Sequence, residues 1–193
     1  MDTLTFDEKS HVYKVGKTIV PSVTSICSLI AKRFPCDPWY AKRGQILHVI
    51  AEWHDREELD PESVDRQLEG YFSGYKRFLS EVKPKIKLIE QPLYHPKYKY
   101  CGKPDRYGEM MNYLSTWDLK FGAPWEGDPY QSVAYMFLLK ANGFKCWQAW
   151  DVYLKPNGSY KVAVVKDATA KFMRFVSFIP KERGRRDERN GTN

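Results

Sequence analysis

The sequence predicts an α/β domain with a central mixed sheet, an antiparallel meander at the core of that sheet, and helices flanking it. Three observations predict it. Three β-rich runs, residues 86–94, 98–107 and 113–121, follow one another across turn residues, which is the signature of a meander. Stretches with helical periodicity stand before and after these runs. No internal repeat or low-complexity linker divides the chain, so one layered unit accounts for the whole pattern.

The elements follow in order. Residues 4–20 read as short strands around turns, with Tyr13 and Val15 alternating before Gly16-Lys17 and then Ile19-Val20. Ser22 or Thr24 is a natural N-cap for a helix running to about Arg33, with Val23, Ile26 and Ile30 on one face. Asp37-Pro38 opens a second helix that runs to about Asp55. A third is expected over 61–81, opening at Asp60-Pro61 and carrying Leu68, Phe72, Tyr75 and Leu79 as its apolar stripe. Beyond the meander, a helix is expected from Asp128-Pro129 to about Ala141, stopped by Asn142-Gly143. Strands around 146–155 and 159–165 flank Pro156-Asn157-Gly158, whose Asn-Gly pair favours a tight hairpin. A last helix from Asp167 to about Ile179 buries Ala168, Phe172, Phe175, Val176 and Ile179. Residues 1–180 thus form a single domain, and the basic, polar stretch 181–193 is expected to be a flexible tail that does not pack.

With 193 residues, 42% of them hydrophobic, the chain can bury a core without disulfides or a structural metal. No apolar run approaches the ~20 residues that span a bilayer, which excludes a membrane-embedded class. The start lacks a basic segment followed by an apolar one, so a cytoplasmic location is expected. Cys27, Cys36, Cys101 and Cys146 include no C-x-x-C pair, which argues for reduced thiols over a zinc ribbon. A formal charge of +7 favours a polyanionic partner through phosphate neutralisation.

The chemistry concentrates on residues 113–121. With a two-residue period, Leu114, Thr116, Asp118 and Lys120 point one way, while Tyr113, Ser115, Trp117 and Leu119 point the other. Folding this strand back on residues 98–107 through a turn at 108–112, centred between Met111 and Asn112, sets Asp105 opposite Asp118. Like charges so placed repel at Cβ separations of about 4.5–5.5 Å, and a divalent cation between them removes the penalty. Oxygen ligands suit Mg²⁺ or Mn²⁺. Lys120, on the same face, can stabilise developing phosphate charge or orient water. A one-residue slip of this register would send Asp118 to the other face.

Pro104-Asp105, twelve intervening residues and Asp118-Leu119-Lys120 spell the PD-(D/E)xK nuclease signature. Further matches lie in order: Arg43-Gly-x-x-x-His48-x-x-x-Glu52, then Glu90, Gly102-Lys-Pro-Asp105, and Gln131-x-x-x-Tyr135 at helical i, i+4 spacing. Together they resemble the RecB-like exonuclease branch, which includes phage exonucleases and is similar to mitochondrial genome maintenance exonucleases. The resemblance covers about residues 20–140.

It implies a restriction-endonuclease-like fold and a metal-dependent DNA exonuclease acting in phage or bacterial recombination, repair or processing. His48, Asp105, Asp118 and the Leu119 carbonyl would ligate Mg²⁺ or Mn²⁺, with Glu90 as a ligand or a support to one, and Lys120 would be the catalytic lysine. Gln131 and Tyr135 would position the DNA strand, and Ser22 and Thr24 would hold a phosphate at a helix N-terminus. Relatives with an iron–sulfur clasp carry three late cysteines; Cys146 is the single late one here, so no cluster is expected. A single-strand annealing or recombination protein and a homo-oligomer are the partners implied, in a bacterial or infected-host cytoplasm.

Other readings stand beside these. His48 can be an ordinary core histidine, Asp105 and Arg106 a surface ion pair, and Arg43 a phosphate contact or a packing residue. Trp125 is a candidate for base stacking, and His11, His54 and His95 carry no pattern. A restriction-type endonuclease, a nuclease acting on RNA and a DNA-binding module with a vestigial site are the functional rivals.

Overall fold

The computed structural model describes residues 3–7, 10, 12–32 and 37–190, the last five as backbone. Its first strands, β1 (Leu4–Asp7), β2 (Val12–Val15) and β3 (Thr18–Val20), form a separate three-stranded antiparallel sheet. Ser22 then caps α1 (Val23–Ile30): its hydroxyl accepts the Ser25 N–H while the Ser25 hydroxyl accepts the Ser22 N–H. Asp37 caps α2 (Pro38–Asp55) by accepting the Trp39 N–H, and Pro38 sits where a missing N–H costs nothing.

The third helix starts later than its proline suggests. Residues Pro61–Ser63 make one 3-10 turn, Val64 is extended, and α3 (Glu69–Val82) begins beyond it. The Asp60 and Asp65 carboxylates accept the Glu62 and Gln67 N–H groups, a local pattern that competes with helix. Next come β4 (Lys85–Ile89), β5 (Leu93–His95), β6 (Tyr100–Gly102), β7 (Arg106–Met110) and β8 (Tyr113–Lys120). The run expected over 98–107 is therefore two strands, broken where Pro104 has no N–H to give a ladder. The run expected over 86–94 breaks likewise, at Glu90, whose backbone is left-handed with φ of 49°.

The chain closes with α4 (Asp128–Ala141), β9 (Gln148–Leu154), β10 (Tyr160–Val164), α5 (Ala168–Ser177) and α6 (Ile179–Asn190). Five strands form the central mixed sheet in the order β10-β9-β8-β7-β4, while β5 and β6 pair apart from it. The meander is thus β4-β7-β8, with the β5–β6 hairpin inserted into it. Strands β8 and β9 are parallel, which demands a crossover, and α4 is that crossover. The β9–β10 hairpin turns at Pro156-Asn157-Gly158, as expected: the Lys155 N–H donates to the Ser159 carbonyl at 3.0 Å, the Gly158 N–H to the Lys155 carbonyl at 3.2 Å, and Gly158 takes a positive φ of 78°.

The β7–β8 turn is shorter than the five residues the sequence suggests. Met111 and Asn112 alone make it, both at positive φ (49° and 67°), the geometry of a tight twisted hairpin. Arg106 pairs with Trp117 and Met110 with Tyr113, and one further step of this register sets Asp105 against Asp118, as the sequence predicts. Side-chain alternation also holds. Trp117 and Leu119 pack with Phe72, Tyr75 and Phe78 of α3, while Leu114 packs on the other face with Val133 and Leu138 of α4 and Phe175 of α5.

Residues expected to form a flexible tail continue as α6 as far as Asn190. Glu182 is buried, and Arg183 Nη2 donates to the Tyr98 and Lys99 carbonyls at 3.0 and 3.3 Å. Ile179 supplies the apolar anchor that the polar stretch itself lacks. Among the described residues no helix is long and apolar enough to cross a membrane.

One buried ion pair ties α2 to the sheet. Arg106, fully buried, pairs through Nε with the Asp55 carboxylate at the end of α2, and the Tyr75 hydroxyl donates to the same oxygen. Asp105 and Arg106 are therefore no surface pair. Removing one member of such a pair leaves an uncompensated buried charge. Arg106→Met is expected to cost about 3–5 kcal/mol in urea unfolding, and a loss below about 1 kcal/mol would show that α2 is held by other contacts.

Candidate metal centre

Three elements converge above the end of the β7–β8 hairpin. His48 comes from the middle of α2, Glu90 from the residue after β4, and Asp105 from the residue before β7. His48 Nδ1 lies 3.3 Å from Asp105 Oδ2 and 3.8 Å from Glu90 Oε1. One donor atom from each residue lies within 4.8 Å of the other two. The left-handed backbone at Glu90 is held by its N–H, which donates to the Asp105 carbonyl at 3.1 Å. Strain of this kind persists only where neighbours over-determine it.

Asp118 and Lys120 stand beside this group on β8. The Lys120 ammonium pairs with Asp118 Oδ2, donates to Gln131 Oε1 at 3.0 Å, and lies 3.4 Å from Asp128 Oδ1. Gln131 Nε2 lies 3.3 Å from the Tyr135 hydroxyl, so the i, i+4 pair on α4 reaches Lys120 from one end. Asp105 Oδ2 accepts the Leu119 N–H at 2.7 Å, which fixes one carboxylate to the strand bearing the other. Asp118 Oδ1 and Glu90 Oε1 are buried without a hydrogen-bond donor.

Burial raises the Asp105 carboxyl well above the usual carboxylate range, and the Asp118 charge adds to the effect. Burial likewise pushes Glu90 up to about 7, with the Asp105 charge second. His48 is lowered by burial, against the pull of Glu90 and Asp118, and so favours a neutral imidazole. Burial would also lower Lys120, yet Asp118, Asp128 and Asp151 outweigh it and hold the ammonium charged. Asp151, opposite Asp118 in the β8–β9 register, accepts the Ser132 hydroxyl at 2.6 Å, and burial lifts it to about 6.

This donor set fits a divalent cation. An imidazole nitrogen and several carboxylate oxygens converge, with buried acceptors lacking donors and with carboxyls destabilised as anions. A cation supplies what both defects lack. His48, Glu90 and Asp105 could hold it directly, with Asp118 alongside.

The other candidate residues divide. Ser22, Thr24 and Tyr135 line a cleft of about 710 Å³ whose wall also includes His48, Glu90 and Asp105. The Ser22 hydroxyl is engaged in its own cap. Arg43 is not among the residues that line this cleft: Nη2 donates to the Phe121 carbonyl at 2.9 Å, and the guanidinium lies over the rings of Tyr40 and Tyr71. Trp125 is partly buried against the core, donates its indole N–H to the Lys32 carbonyl at 3.3 Å, and is not among the residues that line this cleft. Cys36 and His11 lie outside the described residues.

Several participants escape sequence reading. Lys103 Nζ holds Glu90 Oε2 at 3.0 Å, and Arg106 Nη1 lies 3.5 Å from Glu90 Oε1. Asp128 reads as a helix start, but its carboxylate also receives the Trp125 N–H and the Tyr153 hydroxyl beside Lys120. Lys103 stands inside the matched Gly102-Lys-Pro-Asp105 string and Asp128 beside a helix-opening proline; Arg106, Asp151 and Ser132 carry no local signal.

No protein-family model matches the chain, and no curated protein matches it. Among solved structures, LHK-Exo in complex with dAMP is 12% identical, with 90% of this chain and 92% of that one covered at a TM-score of 0.44. The structure of SSO0001 is also 12% identical, covering 83% of this chain and 73% of the other at a TM-score of 0.40. What the centre can do rests on its own side chains.

A cation must displace protons from the two raised carboxyls. Because their folded values lie above the ordinary range, the metal-free protein gains stability from them at low pH and loses it as pH rises through about 7. Mn²⁺ affinity, measured by titration calorimetry, is therefore expected to rise between about pH 6 and pH 8 and to release protons. A flat affinity across that interval would remove Glu90 from the centre.

Proposed function

We propose that this protein is a Mg²⁺- or Mn²⁺-dependent DNA exonuclease, hydrolysing phosphodiester bonds from DNA ends. The observation that carries the reading is the meeting of His48, Glu90 and Asp105 beside the Asp118–Lys120 pair, at the edge of one cleft. Two carboxylates on adjoining strands with an ammonium next to them are what phosphoryl chemistry asks of a protein: charge neutralisation and positioning. The chain's net charge of +7 supports a polyanionic substrate.

A divalent cation held there would neutralise the scissile phosphate and acidify water. The chain's residues do the rest. Asp105, which accepts the Leu119 N–H at 2.7 Å, is tied to the strand that bears Asp118. Lys120, held charged and aimed by Gln131 and Asp128, offers its proton-rich ammonium to the phosphate oxygens as negative charge builds. Tyr135 and Thr24, which both line the cleft, would steady the strand, Thr24 from the start of α1. End-directed action follows from the resemblance carried by His48 and the Gln131–Tyr135 pair, as does a setting in DNA recombination or repair.

Asp118→Ala and Lys120→Ala are each expected to lower Mg²⁺-dependent degradation of linear duplex and single-stranded DNA by about 10²–10³-fold or more, with DNA binding retained. Covalently closed circular DNA should survive. Degradation of the circle would replace the exonuclease with an endonuclease, faster cleavage of RNA would change the substrate, and full activity of Asp118→Ala would leave only a binding module.

A further inference from the structure

The cleft has an apolar side that the chemistry above does not use. Helix α2 turns Gln45, His48, Val49, Glu52 and Trp53 toward it, so the imidazole and an indole stand on successive turns of one face. Trp53 is 48% exposed and Val49 41% exposed. Among the described residues, no ring contact, ion pair or side-chain hydrogen bond holds the Trp53 indole. Glu52, between them, is neutralised by Arg56 Nη2 at 3.0 Å, which removes a charge that would repel a nucleic acid. From a different element, Phe6 of β1 and Tyr13 of β2 border the same cleft, stacked with ring centroids 4.4 Å apart, and Lys103 Nζ lies 5.7 Å from the Phe6 ring.

Other aromatic side chains of this chain are as exposed, Trp147 and Tyr40 among them; Trp53 differs in lining the cleft that also holds His48, Glu90 and Asp105. Bases paired in a duplex keep their faces stacked on their neighbours, so an aromatic surface in this cleft of about 710 Å³ is reached face-on by a base that is unpaired. What fits a flat aromatic surface beside a phosphate-cleaving centre is the π-face of one unpaired base.

We infer that Trp53, with Val49 beside it, forms a base-stacking subsite for an unpaired nucleotide next to the scissile phosphate, so that the substrate enters as a single strand or a frayed end. This rests on the nuclease reading of the same centre. Stacking is sequence-tolerant, because every base has a π-face, so the subsite selects for strandedness and not for sequence.

The test is binding of a fluorescent single-stranded oligonucleotide by anisotropy, in Ca²⁺ and in chelator, with wild type, Trp53→Ala and Trp53→Phe. A strand with abasic sites at its terminal nucleotides serves as the probe of stacking. Trp53→Ala should weaken binding of the intact strand by about 5- to 150-fold, the range of a lost base–aromatic stack. Trp53→Phe should recover most of it, and the abasic strand should bind wild type and Trp53→Ala alike. Mn²⁺ affinity, read by calorimetry, should be the same in all three proteins, which separates the subsite from the metal centre. Equal binding of the intact strand by wild type and Trp53→Ala, or no binding by wild type, would overturn the subsite. Wild type that binds as described yet cleaves nothing with Mg²⁺ or Mn²⁺ would overturn the nuclease reading and leave the subsite standing.

Discussion

Glu90, Asp105 and Asp118 are brought together in the interior at separations that like charges resist, and the rest of the molecule is organised around that repulsion. In a medium poorer in water than bulk solvent, each carboxylate raises the cost of ionising the next. Burial contributes most of the shift at Asp105 and Glu90, and their charged neighbours add to it. An arrangement this unfavourable for the bare protein is favourable once a divalent charge sits among the oxygens. The closeness that raises the carboxyls is the same closeness that fits them to hold a divalent cation.

Around the centre, cations of the chain divide the work by rigidity. Arg106 is fully buried and joins Asp55, the Asp105 carbonyl and Glu90, so a single planar guanidinium relates the end of α2 to the strand edge that carries the carboxylates. Lys103 and Lys120 are single-point charges on flexible stems. Lys103, a quarter exposed, faces Glu90 at the cleft, whereas Lys120 is locked in a cage of Asp118, Asp128 and Gln131. The architecture gives the planar, bidentate cation to the scaffold and the point charges to the site.

Helix α2 connects these parts. Its interior face contributes Leu47, Ile50 and Ala51 to the core shared with α3, its cleft face carries His48 and Trp53, and its last residue receives Arg106. A helix so constrained on several sides cannot rotate without breaking the buried pair. The imidazole is thereby presented 3.3 Å from Asp105 by a helix held at its core face and at its end, the support that a positioned ligand needs.

What the sequence by itself determined is whatever depends on neighbours in the chain. The two-residue period of β8, the centring of the hairpin between Met111 and Asn112, and hence the facing of Asp105 and Asp118 are local matters, and so are the caps at Ser22 and Asp37 and the i, i+4 pairing of Gln131 with Tyr135. Tertiary structure decided everything that joins distant segments: Glu90 swung into the donor set by a left-handed residue after β4, Arg106 reaching Asp55, Arg43 turned to the Phe121 carbonyl, and α6 anchored by Ile179 despite its polar sequence. Phe6 and Trp53 share a cleft although 46 positions separate them. Such contacts are stabilised by burial and packing across the core, which no local periodicity encodes, so the facing of the carboxylates could be read from the strand while its supports and its walls could not.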